Sequence, residues 1–365
     1  ERLRLVRELT ERYRFLHWEL EFADIFEDRD GFDLIVGNPP WIQVSWNEGE
    51  FMGDHVPQFV LRNYSASRLA SLRSEILKRQ NLTSAYLSAY EEAEGTQLFL
   101  NAQQNYKDLQ GMKANLFKCF LPQAWRFGKQ EGVSGFLHPE GVYDDPKGGR
   151  LREAVYPRLS YHFQFVNEFL LFQEITNHVK YSINIYSNLN ESKVDFSNIA
   201  NLFSPKTVDS CFEHSGYGEV PGIKDNNNKF NIQGHFSRII PVTEKMLSLF
   251  AQLYDPEETP PLQARLPALH SQELVQVLEK FADQPKKLGD MEGEYISTQH
   301  WNETTAQQDG TIRRETKFPD SSEELILSGP HFFVGNPFYQ TPQAECKTNR
   351  SYDVIDLTSL HEYYL

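Results

Sequence analysis

An α/β fold built on part of a parallel sheet, with a helical insertion and a later α+β region, is what this sequence predicts, and three observations carry the prediction. The run "FDLIV" (Phe32 to Val36) is short, apolar and partly β-branched, the pattern of a strand buried on both faces of a parallel sheet. Gly37, Pro39 and Pro40 then stop it, because proline donates no backbone hydrogen bond and fixes φ at about −65°. The span from Ile42 to Met112 far exceeds the usual connection of about 4 to 6 residues and contains helical patterns such as "SRLASLRSEILKRQ".

In chain order, "ERLRLVRELTERYR" (residues 1–14) reads as a charged amphipathic helix with Leu3, Val6 and Leu9 on one side. After the insertion, "ANLFKCFLPQAWRF" places Leu116, Phe117, Phe120, Leu121 and Trp125 at helical spacing. "EGVSGFLHPEGVY" reads as turn, strand and loop, with Pro139 at the strand end, and "GGRLREAVY" opens the next helix. "FQFVNEFLLFQEITNHVKYSINIYS" gives two strands joined by a polar connection, with Lys180 opening the second. Residues 188–235 are polar and turn-rich and read as the exit from a first domain; two helical stretches, "PVTEKMLSLFAQLYD" and "SQELVQVLEKFADQ", follow. From Tyr295 onwards the pattern changes to short strands and turns. A chain of 365 residues is expected to form more than one domain. The division read here is 1–190 (insertion 42–112), a connecting helical region 191–290, and 291–365.

The formal net charge of −15 counts against a broadly DNA-coating protein, so basic clusters matter locally. One spans Arg62, Arg68, Arg73, Lys78 and Arg79; the other holds Lys147, Arg150, Arg152 and Arg158. No apolar run approaches the roughly 18 residues of a membrane span, so no membrane association is expected. Cys119, Cys211 and Cys346 are scattered, without metal spacing, which fits a reducing cytoplasm.

Ligands of open α/β sheets bind beyond the carboxyl ends of strands, where Asn38 to Trp41 falls. An amino group conjugated to an aromatic ring is a poor nucleophile because its lone pair is delocalised. The Asn38 side-chain oxygen and the Pro39 carbonyl are able to accept hydrogen bonds from one such group, pulling the nitrogen towards tetrahedral geometry. Trp41 offers a stacking surface for the ring. A base in duplex DNA would first have to be flipped out, at a cost of a few kcal/mol partly offset by that stacking.

The stretch "GNPPW" resembles motif IV, Asn-Pro-Pro-aromatic, of the amino-methyltransferases that use S-adenosylmethionine, in the gamma-type order with target recognition after catalysis. The resemblance implies a Rossmann-like methyltransferase sheet with Asn38, Pro39, Pro40 and Trp41 as catalytic residues. "FADIF" resembles motif III, implying that Asp24 ends the preceding strand and accepts a hydrogen bond from the cofactor's adenine, with Ile25 beside the purine. The helix at "NLFKCF" resembles motif V and makes Asn115 and Phe117 cofactor contacts. Phe172 matches the aromatic that stacks on the opposite face of the flipped base, while Lys180, Lys147 and Arg150 would meet the DNA. No metal is implied. The layout is most like that of large single-chain, type IIG-like restriction-modification enzymes acting on N6 of adenine. Double-stranded DNA, restriction or phage-defence subunits and a fused nuclease are the partners this implies, and residues from Tyr295 onwards resemble the start of a target-recognition domain.

The family's glycine-rich cofactor loop would lie before Asp24, yet no glycine precedes it and the chain begins with Glu. The expectation is a piece of a longer polypeptide, with the base-holding half of the site, lacking most of the cofactor-holding half and inactive alone. Two other readings stay open. One keeps the chemistry on another planar amine, the glutamine amide of release factors or guanine in ribosomal RNA; the other is a catalytically silent DNA-binding subunit of a defence complex. "VGNPFY" (334–339) reads as a turn presenting aromatics, and Pro319-Asp320 with Glu345-Cys346-Lys347 matches only loosely the spacing of a magnesium nuclease.

Overall fold

A computed structural model describes residues 2–61, 66–79, 81–113, 115–189 and 193–286, with short stretches beyond (289–291, 293, 302–308, 310–311, 340–342 and 352–354). The chain divides into two compact units, residues 1–286 and 287–365.

The first unit opens with helices α1 (Arg2–Tyr13), α2 (Trp18–Glu21) and α3 (Ala23–Arg29) before strand β1 (Phe32–Gly37). The expected insertion is helical: α4 (Glu48–His55), α5 (Gln58–Leu61), α6 (Ala66–Arg79) and α7 (Thr83–Asn101). Met52, Phe59 and Leu77 give it a small core of its own. Then come α8 (Leu116–Phe127), β2 (Gly128–Pro139), α9 (Gly149–Val155), β3 (Leu159–Val166) and β4 (Lys180–Ser187), each where the sequence placed it. The unit closes with β5 (Asp195–Leu202), α10 (Lys206–Glu213), β6 (Ile240–Thr243), α11 (Glu244–Tyr254) and α12 (Glu273–Ala282).

One sheet of six strands, ordered β1-β2-β4-β3-β5-β6, organises the unit. It is mixed: β1 runs parallel to β2 and β3 to β5, while β4 is antiparallel to both β2 and β3. The main core includes Leu121 and Phe117 from α8, Leu151 and Val155 from α9, and Leu247 and Phe250 from α11. Each such buried apolar side chain contributes about 1.5 to 3 kcal/mol.

Three expectations change. β1 is an edge strand, and Leu34 and Val36 are 63% and 72% exposed, because no further strand or helix covers that side among the described residues. "FADIF" forms helix α3 instead of a strand end, because Phe22 and Phe26, four apart, share a helix face and pack edge-on against Phe32. The polar span after residue 190 adds β5 and β6 to the same sheet, with β5 on β3 and β6 on β5. The reading that ended the first domain at 190 therefore cuts through the observed sheet, and the compact unit runs on to residue 286.

In the second unit the described residues show α13 (Glu303–Gln308) and the antiparallel pair β7 (Gln340–Pro342) and β8 (Tyr352–Val354). "VGNPFY" and the Asp320 and Glu345-Cys346-Lys347 pattern lie outside the described residues, as does most of the recognition region expected over 291–365.

Candidate functional site

Gly37 ends β1 opposite Phe136 of β2, so Asn38 is delivered just beyond the carboxyl end of β1, alongside the last residues of β2, which runs on to Pro139. Asn38 is exposed, Pro39 buried, Pro40 exposed and Trp41 half-buried. Two anchors hold the loop. The Trp41 indole N–H donates to the Leu137 carbonyl at 3.4 Å, and on the exit side Leu116 N–H donates to the Ile42 carbonyl at 2.9 Å. Among the described residues the Asn38 side chain makes no hydrogen bond, which leaves its oxygen available as an acceptor.

Phe172, more than a hundred residues later, lies against this loop. Its ring centroid is 6.0 Å from that of Trp41 at an interplanar angle of 61°. Asn167, wholly buried at the end of β3, shapes the connection that presents it. Its side-chain N–H groups donate to the carbonyls of Phe172 (2.8 Å), Ile175 (3.1 Å) and Thr176 (3.3 Å), and its oxygen accepts from Phe172 N–H (3.0 Å). Asn38, Pro39, Pro40, Trp41, Phe172 and Glu174 line a cavity of about 220 Å³. Tyr181, which the sequence reading passed over, forms the wall behind the two aromatics, 5.9 Å from Trp41 and 5.1 Å from Phe172 between centroids. Nothing in the alternating pattern of β4 distinguishes it from an ordinary core residue.

The basic residues divide. Lys180 opens β4, exposed, at the end of the sheet where Pro139 closes β2. Lys147 and Arg150 are exposed after β2, Arg150 donating to the Gln110 side chain at 2.5 Å. Arg152 and Arg158 are not surface charges. Arg152 is 1% exposed and donates to three backbone carbonyls, and Arg158 lies over the Trp125 ring. In the insertion, Arg73 is engaged by Glu48.

None of the four residues expected to hold S-adenosylmethionine lines the cavities beside the loop. Asp24 is exposed in the first turn of α3, with Ile25 beside it on the same short helix. Phe117 is 2% exposed and stacks on His138 at 5.2 Å, so it is core. Asn115 forms a bridge with Gln43, and its side-chain oxygen is buried without a partner among the described residues. A larger cavity of about 820 Å³ does open beside the loop, between Val36, Asn38, Pro40, Leu116 and Phe120. Its mostly apolar wall carries Glu19, whose carboxylate accepts from Arg126 at 2.7 Å. The residues present thus supply one wall, and by themselves they do not fit the cofactor. No group of three or more His, Cys, Asp or Glu side chains able to hold a metal occurs among the described residues, and none of their helices is long and apolar enough to cross a membrane.

Residues 4–84, which contain the Asn-Pro-Pro-Trp loop, match the family described as Eco57I restriction-modification methylase. No curated protein matches the chain. Similar solved structures include the modification subunit of a putative type I restriction enzyme from Vibrio vulnificus YJ016, at 11% identity, 68% of this chain, 40% of that chain and a TM-score of 0.31. Others are the ATP-dependent Type ISP restriction-modification enzyme LlaBIII bound to DNA (11%, 47%, 10%, 0.26) and the M protein of the type I enzyme EcoKI (14%, 47%, 44%, 0.25). The chain spans less than half the length of each.

Proposed function

We propose that this chain carries the amine-holding half of a DNA adenine methyltransferase site in a restriction-modification or phage-defence system. The observation that carries the reading is the meeting of Trp41 and Phe172 in the wall of the cavity that Asn38 and Pro39 also line. A base stacked between two rings needs about 3.5 Å on each face, so a flipped adenine turns and parts these two and lies between them. The Asn38 oxygen and the Pro39 carbonyl then each accept a hydrogen bond from one of the two amine N–H groups, which localises the nitrogen lone pair and fixes its direction. Holding the amine in line is the chain's contribution to rate. The methyl source in this reading is S-adenosylmethionine. Lys180, exposed at the start of β4, and Lys147 and Arg150, exposed after β2, are the side chains this reading assigns to phosphates of double-stranded DNA. The setting is the cytoplasm, with restriction or defence subunits as partners.

Single-molecule sequencing of genomic DNA from a methylation-free host tests this. The complete natural gene encoding these residues should leave methyladenine at one recurring sequence, and Asn38→Ala should reduce the mark at least about a hundredfold. Unmodified DNA in the presence of abundant wild-type protein would overturn the reading.

A further inference from the structure

Tyr181 is 2% exposed and belongs to a cluster otherwise built from apolar side chains: Phe165, Ile199, Leu202, Cys211 and Ile239, with Trp41 and Phe172 packed against it. Its ring stacks on Phe165 at 5.7 Å and 8°. Its hydroxyl is buried and has no hydrogen-bond partner among the described residues. A buried phenol without a partner is destabilising, and phenylalanine would fill the same space without that cost. Trp41 and Phe172, whose rings lie 5.9 and 5.1 Å from the Tyr181 ring, are the pair that must part to admit a ring, since 6.0 Å between their centroids at 61° leaves no room for a base stacked on both.

We infer that Tyr181 is a specificity-determining residue of the base pocket: insertion of the flipped purine between Trp41 and Phe172 uncovers its hydroxyl, which donates a hydrogen bond to a ring nitrogen of the base. The inference rests on the adenine methyltransferase reading above. It gives the pocket a contact that depends on ring identity, in addition to the amine contact of Asn38 and Pro39. The unpaired hydroxyl of the free protein is then the donor kept in reserve for the bound state.

Two measurements test it. In the chain as it stands, Tyr181→Phe should have a urea midpoint equal to or above that of wild type; a clearly lower midpoint would show that the hydroxyl already has a partner, overturning the proposal. In the complete natural protein, methylation of duplexes carrying its own site should fall about tenfold in kcat/KM for Tyr181→Phe. The same variant should lose the wild-type preference for adenine over one of the three deaza-adenines that lack a single ring nitrogen. Unchanged kinetics in Tyr181→Phe, or an unchanged deaza preference, beside an inactive Asn38→Ala would overturn the role of Tyr181 and leave the methyltransferase reading standing. An inactive wild type would overturn both.

Discussion

His138 and Glu140 flank Pro139 at the end of β2, both wholly or almost wholly buried. Burial holds the His138 imidazole down at about 4, well below its ordinary 6.5. With Nδ1 facing the Pro139 carbonyl at 2.8 Å and Nε2 facing the Tyr186 hydroxyl at 2.9 Å, the neutral ring satisfies both contacts by donating from Nδ1 and accepting at Nε2. Burial alone would raise the Glu140 carboxyl, but the charge of His162 and the hydrogen bonds from His162, Ser182 and Gln164 outweigh it and hold it at about 2. The signs agree. Between pH 6.5 and 4 the unfolded chain binds a proton at position 138 that the folded chain refuses, so stability is lost as pH falls through that window, on the order of 3 kcal/mol in all. Glu140 adds a further loss between 4.5 and 2. Urea midpoints at pH 7.5, 5.5 and 4.5 should decline in that order, and His138→Leu should flatten the decline; a wild-type series without slope would contradict the assignment.

Among the elements, α8, β2, α9, β3 and β4 were legible because each keeps one periodicity over its length, and the Asn-Pro-Pro-Trp loop was legible because its residues make no sense as ordinary turn filler. β5 was not. Its sequence "DFSNIANL" is interrupted by Asn198, whose oxygen lies 2.6 Å from Nδ1 of buried His162, so a polar residue that reads as a loop is a core partner in the fold. β6 is four residues with a proline, too short for any pattern. At Asp24 the cause is the opposite: the family likeness implies a strand end, whereas the local aromatic spacing favours the helix. Between α3 and β1 the chain reverses through Asp30 (φ 56°) and Gly31 (φ 125°). A Cβ at Gly31 would lie 2.5 Å from the Phe127 carbonyl oxygen. Gly31→Ala should therefore cost at least about 2 kcal/mol, combining the disfavoured dihedral with a backbone clash. A urea midpoint within error of wild type would show that this turn does not set the entry of β1.

For the molecule as a whole, the open side of β1 is the surface feature with a consequence for association. Leu34 and Val36 project from an unpaired edge strand, with Leu16 and Leu20 also exposed nearby in sequence. Such an edge invites pairing with another chain. Sedimentation velocity on the 365-residue chain should show association that grows with concentration and weakens in Val36→Lys; an ideal monomer at every concentration would refute this. The aromatic pocket has a different consequence, one of timing. Trp41 and Tyr181 stand 140 positions apart, and at about 5 to 20 residues per second a ribosome needs roughly 7 to 30 s to make the second after the first. Throughout that interval the indole on the nascent chain has no wall to lean on. The pocket is assembled only when β4 joins β2, so a chaperone shielding the Trp41 loop would be needed for longer than the loop's own length suggests.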